Sequence, residues 1–115
     1  MVFDFKISNN GHFAIIEVEG NLIEKGQANS LLQKLEELAT NNCNKWAIDL
    51  QKLSYMNSSG LNTLIQILTK ARVAGGEAVL YNMNKKINEL ILITKLHTLF
   101  KITESQDEAL NVLGV

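Results

Sequence analysis

The chain has 115 residues, 46% of them hydrophobic and 20% charged, which suits one core-forming domain and leaves no room for a second. The net charge is -1, and the basic residues are scattered (Lys45, Lys52, Lys70, Arg72, Lys85, Lys86) with no stripe interleaved with aromatics, which argues against a nucleic-acid reader. One cysteine, Cys43, excludes an internal disulfide and fits a reducing compartment. The opening Met1-Val-Phe-Asp-Phe-Lys6 carries an early charge and does not read as a signal peptide, and the apolar run Leu90–Ile93 is far too short to cross a bilayer. The expectation is a single cytoplasmic domain over residues 1–115, with neither nucleic acid nor membrane as partner.

Phe3, Phe5 and Ile7 alternate with polar neighbours, the period of a half-buried strand. Asn9-Asn10-Gly11 follows, and Asn-Gly is a strong hairpin signal. His12–Glu19 is therefore predicted as the return strand, with Ile15, Ile16 and Val18 as its bulk and Gly20-Asn21 closing it. From Gln27 the period becomes helical. Leu31, Leu32, Leu35, Leu38 and Ala39 share a face, and Gln33, Lys34, Glu36 and Glu37 take the wet side. The Asn-rich run 41–44 ends this helix, because Asn tolerates the left-handed conformation found there.

Trp46–Leu50 is predicted as a buried central strand, with Leu53 and Tyr55-Met56 leading toward a turn. A second helix sets Leu61, Leu64, Ile65, Leu68 and Ala71 on one face and stops at Gly75-Gly76. Ala78–Tyr81 reads as a strand, Ile87, Leu90, Ile91 and Ile93 as a third helix, and Phe100–Ile102 as a short edge strand. Ser105-Gln-Asp-Glu108 has capping-box spacing and opens a last helix through Ala109, Leu110 and Leu113. Strands alternating with helices predict an α/β fold: a mixed, mostly parallel sheet with about four helices packed on it, the opening hairpin supplying an antiparallel pair.

The most informative segment is 49–61: a buried strand, a polar turn and the start of an amphipathic helix. Asn57, Ser58 and Ser59 stand where a helix N-cap belongs, and Gly60 allows close backbone approach. In a parallel sheet such a loop lies at the carboxyl ends of the strands, where function concentrates. By spacing alone the segment is a well-capped helix. It is also a place that favours added negative charge, through its free N–H groups and its dipole.

Other chemistries have weaker support. A serine nucleophile at Ser58 or Ser59 with His97 and Asp49 lacks the first glycine of the G-x-S-x-G elbow, and His97 reads as a helix-end or surface residue. His12, Cys43 and His97 lack metal-ligand spacing, and Gly75-Gly76-Glu77 is no phosphate loop, so neither metal nor cofactor is expected. Trp46 reads as packing, Cys43 as a loop residue with no redox task, and the leucine stripes as core faces rather than partner grooves.

Tyr55-Met-Asn-Ser-Ser-Gly-Leu61, preceded by Ile48-Asp-Leu50, resembles the signature of the STAS family of anti-sigma-factor antagonists. Glu19-Gly-Asn-Leu22 resembles that family's turn after its second strand, Gly75-Gly76-Glu77 its turn into the fourth, and Leu113-Gly114 its ending, so the likeness covers nearly the whole chain. It implies a non-enzymatic partner switch. The unphosphorylated protein binds an anti-sigma factor that is also a serine kinase and so frees a sigma factor. Phosphorylation then lowers the affinity, and a metal-dependent serine phosphatase restores the binding form. Carried over by residue, the acceptor is Ser58 (Ser59 being the lesser candidate), and the partner-binding set is Asn57, Ser58, Ser59, Gly60, Leu61 and Asn21. The family commonly has Asp before the acceptor where this chain has Asn57, which leaves open a non-phosphorylated scaffold or adaptor subunit.

Overall fold

The computed structural model describes residues 2–24 and 26–115; Met1, part of the N-terminal stretch read above, and Lys25 lie outside them. The described residues run β1 (Asp4–Asn9), β2 (Phe13–Leu22), α1 (Asn29–Thr40), β3 (Lys45–Met56), α2 (Ser58–Val73), β4 (Glu77–Tyr81), α3 (Lys85–Ile93), a 3₁₀ turn (Leu96–Thr98), β5 (Lys101–Thr103) and α4 (Gln106–Leu113). The strands stand in the sheet in sequence order, β1 antiparallel to β2 and every later pair parallel. This is the mixed, mostly parallel α/β architecture that the periodicities predict.

Each crossover from β2 to β5 steps one strand in the same direction, so crossovers of a single hand put α1, α2 and α3 on one face. There Ile16, Trp46, Ile48 and Leu80 of the strands meet Leu31, Leu35, Leu64, Ile67 and Ile91 of the helices. The opposite face is covered by α4, whose Ala109 and Leu113 pack on Ala47, Val79 and Tyr81. Trp46 is fully buried and donates its indole N–H to the Cys43 carbonyl at 2.9 Å. Asn42 takes the left-handed conformation (φ 67°) after α1, and the next N–H, that of Cys43, donates to the Leu38 carbonyl. This closure turns Cys43 into the core, where burial raises its thiol pKa.

Three expectations need correction. Gly20-Asn21 does not close β2, which continues to Leu22. Gly20 is there because its φ is +88° and a Cβ would stand 2.0 Å from the Val2 carbonyl oxygen. The strand expected over Trp46–Leu50 is longer, and β3 runs unbroken from Lys45 to Met56. Asp49 pairs with Glu17 but Lys52 with Glu19, and Leu53 pairs with Gly20 but Tyr55 with Asn21, so β3 twice carries an extra residue. These bulges put burial on Leu50, Leu53 and Met56, every third residue, and hide the alternation that marks a strand. The last correction is on α3: its core face is Ile87 and Ile91, while Ile93 is 78% exposed.

Candidate functional site

The bulges carry β3 past its neighbours to the rim of the sheet, where it passes into α2 through a single residue, Asn57. Asn57 is extended (φ -113°, ψ -163°), and its Oδ1 accepts from the N–H groups of Ser59 (3.0 Å) and Gly60 (3.2 Å). Two of the free donors of the first helical turn are thereby satisfied. The other end of the same side chain donates from Nδ2 to the Ile23 carbonyl at 2.9 Å. Gly60 makes this seating possible, since a Cβ there would lie 2.3 Å from the Leu22 carbonyl oxygen and 2.6 Å from Met56 Cβ.

Ser58 occupies the first helical position, is exposed, and has no hydrogen-bond partner for its hydroxyl among the described residues. It stands on a ridge between two grooves. One, of about 530 Å³, is walled by Gly26, Ala28 and Asn29 opposite Ser59 and Asn62. The other, of about 500 Å³, runs toward α3 and is lined by Tyr55, Lys86, Glu89, Leu90 and Ile93. Tyr55 is 51% exposed and Ile93 78%, and both line this groove, so this side of the ridge offers apolar surface. Ile93 of α3 therefore faces solvent beside the site, against the expectation that the helix stripes serve the core alone. No acidic residue lies in the first turn of α2.

The structure brings Asn57, Ser58 and Ser59 together at the surface, Asn57 and Ser59 half-buried and Ser58 open. Gly60 and Leu61 are buried beneath them, so they hold the helix start from below. Asn21 pairs with Tyr55 on the neighbouring strand and lines neither groove; its carbonyl accepts from Gln27 Nε2 at 3.0 Å. Asp49 Oδ1 is engaged by the Gln51 N–H and by Asn82 Nδ2, and His97 sits exposed in the 3₁₀ turn after α3. Neither lines a groove at Ser58, so no triad is assembled there among the described residues. Sequence reasoning missed Gln27, Lys86 and Ile93 as neighbours of the site. They come from the connection after β2 and from α3 and share no local spacing with residues 57–61, so no signal in the chain could have joined them.

A mixed sheet with helices on both faces, presenting a capped helix start between two grooves at its rim, defines a small α/β module built for surface contact. Residues 4–109 match the family model of the STAS domain, and the chain belongs to the STAS-domain family. Among solved structures it is similar to a putative anti-sigma-factor antagonist from Thermotoga maritima, with a TM-score of 0.81 and 21% identity over 96% of this chain and 95% of that one. An anti-sigma-factor antagonist from Mycobacterium paratuberculosis gives 0.77 at 17% identity, covering 98% and 95%. The Bacillus cell fate determinant SpoIIAA in its phosphorylated form gives 0.71 at 15%, covering 94% and 97%. These likenesses establish the shared fold. Among the described residues no helix is long and apolar enough to cross a membrane.

Proposed function

We propose that this protein is an anti-sigma-factor antagonist: unphosphorylated, it binds an anti-sigma factor that is also a serine kinase, and phosphorylation of Ser58 ends that binding. The observation that carries the reading is the state of Ser58, an exposed hydroxyl without a partner on the ridge between two grooves, at a helix start whose cap is already satisfied. A kinase can reach it without unfolding anything. The added phosphate brings about -1.5 to -2 charges. The fold tolerates this charge at the amino end of α2. A partner seated across the ridge does not, because it would have to strip water from the phosphate. A metal-dependent serine phosphatase would return the protein to its binding form. SpoIIAA, of the same fold, is described in a phosphorylated form, which supports a phosphate being compatible with this architecture. On this reading the domain spans 1–115, works in the cytoplasm, catalyses nothing itself and needs no cofactor, and its docking face is Asn57, Ser58 and Ser59 with Asn21 behind them.

A scaffold or adaptor role without phosphorylation is the second reading, and the observation favouring it is Asn57, which presents a neutral amide where the family commonly has an acid. One experiment separates the two. The protein is incubated with an anti-sigma kinase and ATP, mapped by tandem mass spectrometry, and assayed for kinase binding before and after. A single phosphate on Ser58 with at least a tenfold loss of affinity is expected, and Ser58→Ala should bind yet stay unmodified. Tight binding with no phosphate would establish the scaffold; a phosphate elsewhere would remove Ser58 from the mechanism.

A further inference from the structure

Asn57 has two functional ends, and an acid in its place would keep one of them. Its Oδ1 caps α2, which a carboxylate does equally well; its Nδ2 donates to the Ile23 carbonyl at 2.9 Å, which a carboxylate, having no donor, cannot do. On the far side of that bond the connection from β2 to α1 is ordered by Gln27. Gln27 Oε1 accepts from the N–H groups of Ile23 (3.0 Å) and Glu24 (3.1 Å), and its Nε2 donates to the Asn21 carbonyl. The Leu22 carbonyl, beside Ile23, is the group a Cβ on Gly60 would strike, and it also accepts from the Asn57 N–H. One chain of hydrogen bonds thus runs from the Asn21 carbonyl through the Gln27 side-chain amide and the Ile23 backbone to the Asn57 side-chain amide and the first turn of α2. The segment it pins carries Gly26, Ala28 and Asn29, the wall of the groove opposite Ser59 and Asn62.

We propose that Asn57 is a positioning residue acting through its amide nitrogen: with Gln27 it clasps Ile23 and Glu24 against α2 and so fixes the groove wall of Gly26, Ala28 and Asn29 beside Ser58. The neutral residue is then a working feature of this chain, trading the acid for a tie to the neighbouring loop. The clasp itself is independent of any partner; the wall's part in docking rests on the anti-sigma reading above.

The test uses the free full-length protein first. Amide hydrogen exchange is followed in wild type, Asn57→Asp and Gln27→Leu. In Asn57→Asp the Ser59 and Gly60 amides should stay protected, while exchange of Ile23 and Glu24 rises about tenfold, the scale of one net hydrogen bond. In Gln27→Leu exchange at Ile23 and Glu24 should rise by at least as much. Amides of α4, on the other face of the sheet, should not change in either variant, which separates a loosened loop from a weakened fold. Unchanged exchange at Ile23 and Glu24 in Asn57→Asp would overturn the clasp, as would equal rises there and in α4. Affinity for an anti-sigma kinase is then measured. Gln27→Leu adds no charge and leaves Ser58 untouched, so a fall of about tenfold, matching that in Asn57→Asp, supports the wall. Wild-type affinity in Gln27→Leu despite a loosened loop overturns the wall. If wild type itself binds no anti-sigma kinase, the antagonist reading and the wall fall together, and the exchange data still decide the clasp.

Discussion

At the start of α4, the Ser105 hydroxyl accepts from the Glu108 N–H at 3.2 Å and lies 3.2 Å from Glu108 Oε1, and Asp107 adds a second carboxylate in the first turn. At the start of α2, Asn57 performs the same capping, but no carboxylate follows and the next residue is an open serine. The field of the exposed N–H groups is met within α4 by its own acids and is left unmet in α2. Both starts are helix caps by sequence, and only one of them has room for an added anion. The difference also reaches outward: Ser105 bonds within its own turn, whereas Asn57 ties α2 to the Ile23 carbonyl of another element. A cap that only closes a helix and a cap that also joins two elements should respond differently to the same substitution.

The largest effect should come from Gly60→Ala. The new methyl would sit 2.3 Å from the Leu22 carbonyl oxygen, on backbone that the sheet holds in place. Urea unfolding should show a loss of about 3 kcal/mol; a loss below about 1 would mean that the seating of α2 on Leu22 is loose. Asn57→Ala comes next, at about 2 kcal/mol, because it removes the cap and leaves the Ile23 carbonyl without its donor. Ser105→Ala should cost about 1 kcal/mol, a cap alone. Equal losses in these two variants would break the distinction between the two starts.

The smallest effect at neutral pH belongs to Tyr81→Phe, which removes only the bond from the Tyr81 hydroxyl to Gln106 Oε1, 3.3 Å long, at the start of α4. Its effect should appear in alkali. Burial, with Asp49 and Glu17 nearby, raises the Tyr81 pKa. Below the ordinary tyrosine value of about 10 both states keep the proton and stability is unaffected. Above it the unfolded chain releases the proton and the folded one retains it, so stability falls as pH rises. Tyr81→Phe should flatten that fall in urea titrations between about pH 10 and 11. Cys43 contributes a loss of the same sign in both proteins and cancels from the difference.

Element order, the antiparallel opening pair and the helix caps at Asn57 and Ser105 lie in the sequence, because each depends on spacing along one element. The exceptions follow from contacts between elements. Residues 51–56 hide their strand because two bulges, set by pairing with β2, shift burial to every third position. Ile93 has the composition of a core residue and faces solvent because α3 packs on the core through Ile87 and Ile91, with Leu90 partly buried beside them. For the site, Asn57, Ser58 and Ser59 are legible as a cap. What surrounds them is not, since Gln27, Lys86 and Ile93 reach the ridge from different parts of the chain.

By itself the sequence determined an α/β fold with a mostly parallel sheet, a helix opening within Asn57–Ser59, and a resemblance of the segment 55–61 to one family, because periodicity, caps and turn residues act over a few positions. Only the tertiary structure decided that Leu61 is buried while Ser58 is open, that Ser58 stands between two grooves, and that the Asn57 amide holds the loop that follows β2. The physical reason is that exposure and long-range hydrogen bonds are properties of pairs of elements, and a pair exists only once the sheet has brought residues 23 and 57 within 2.9 Å of each other.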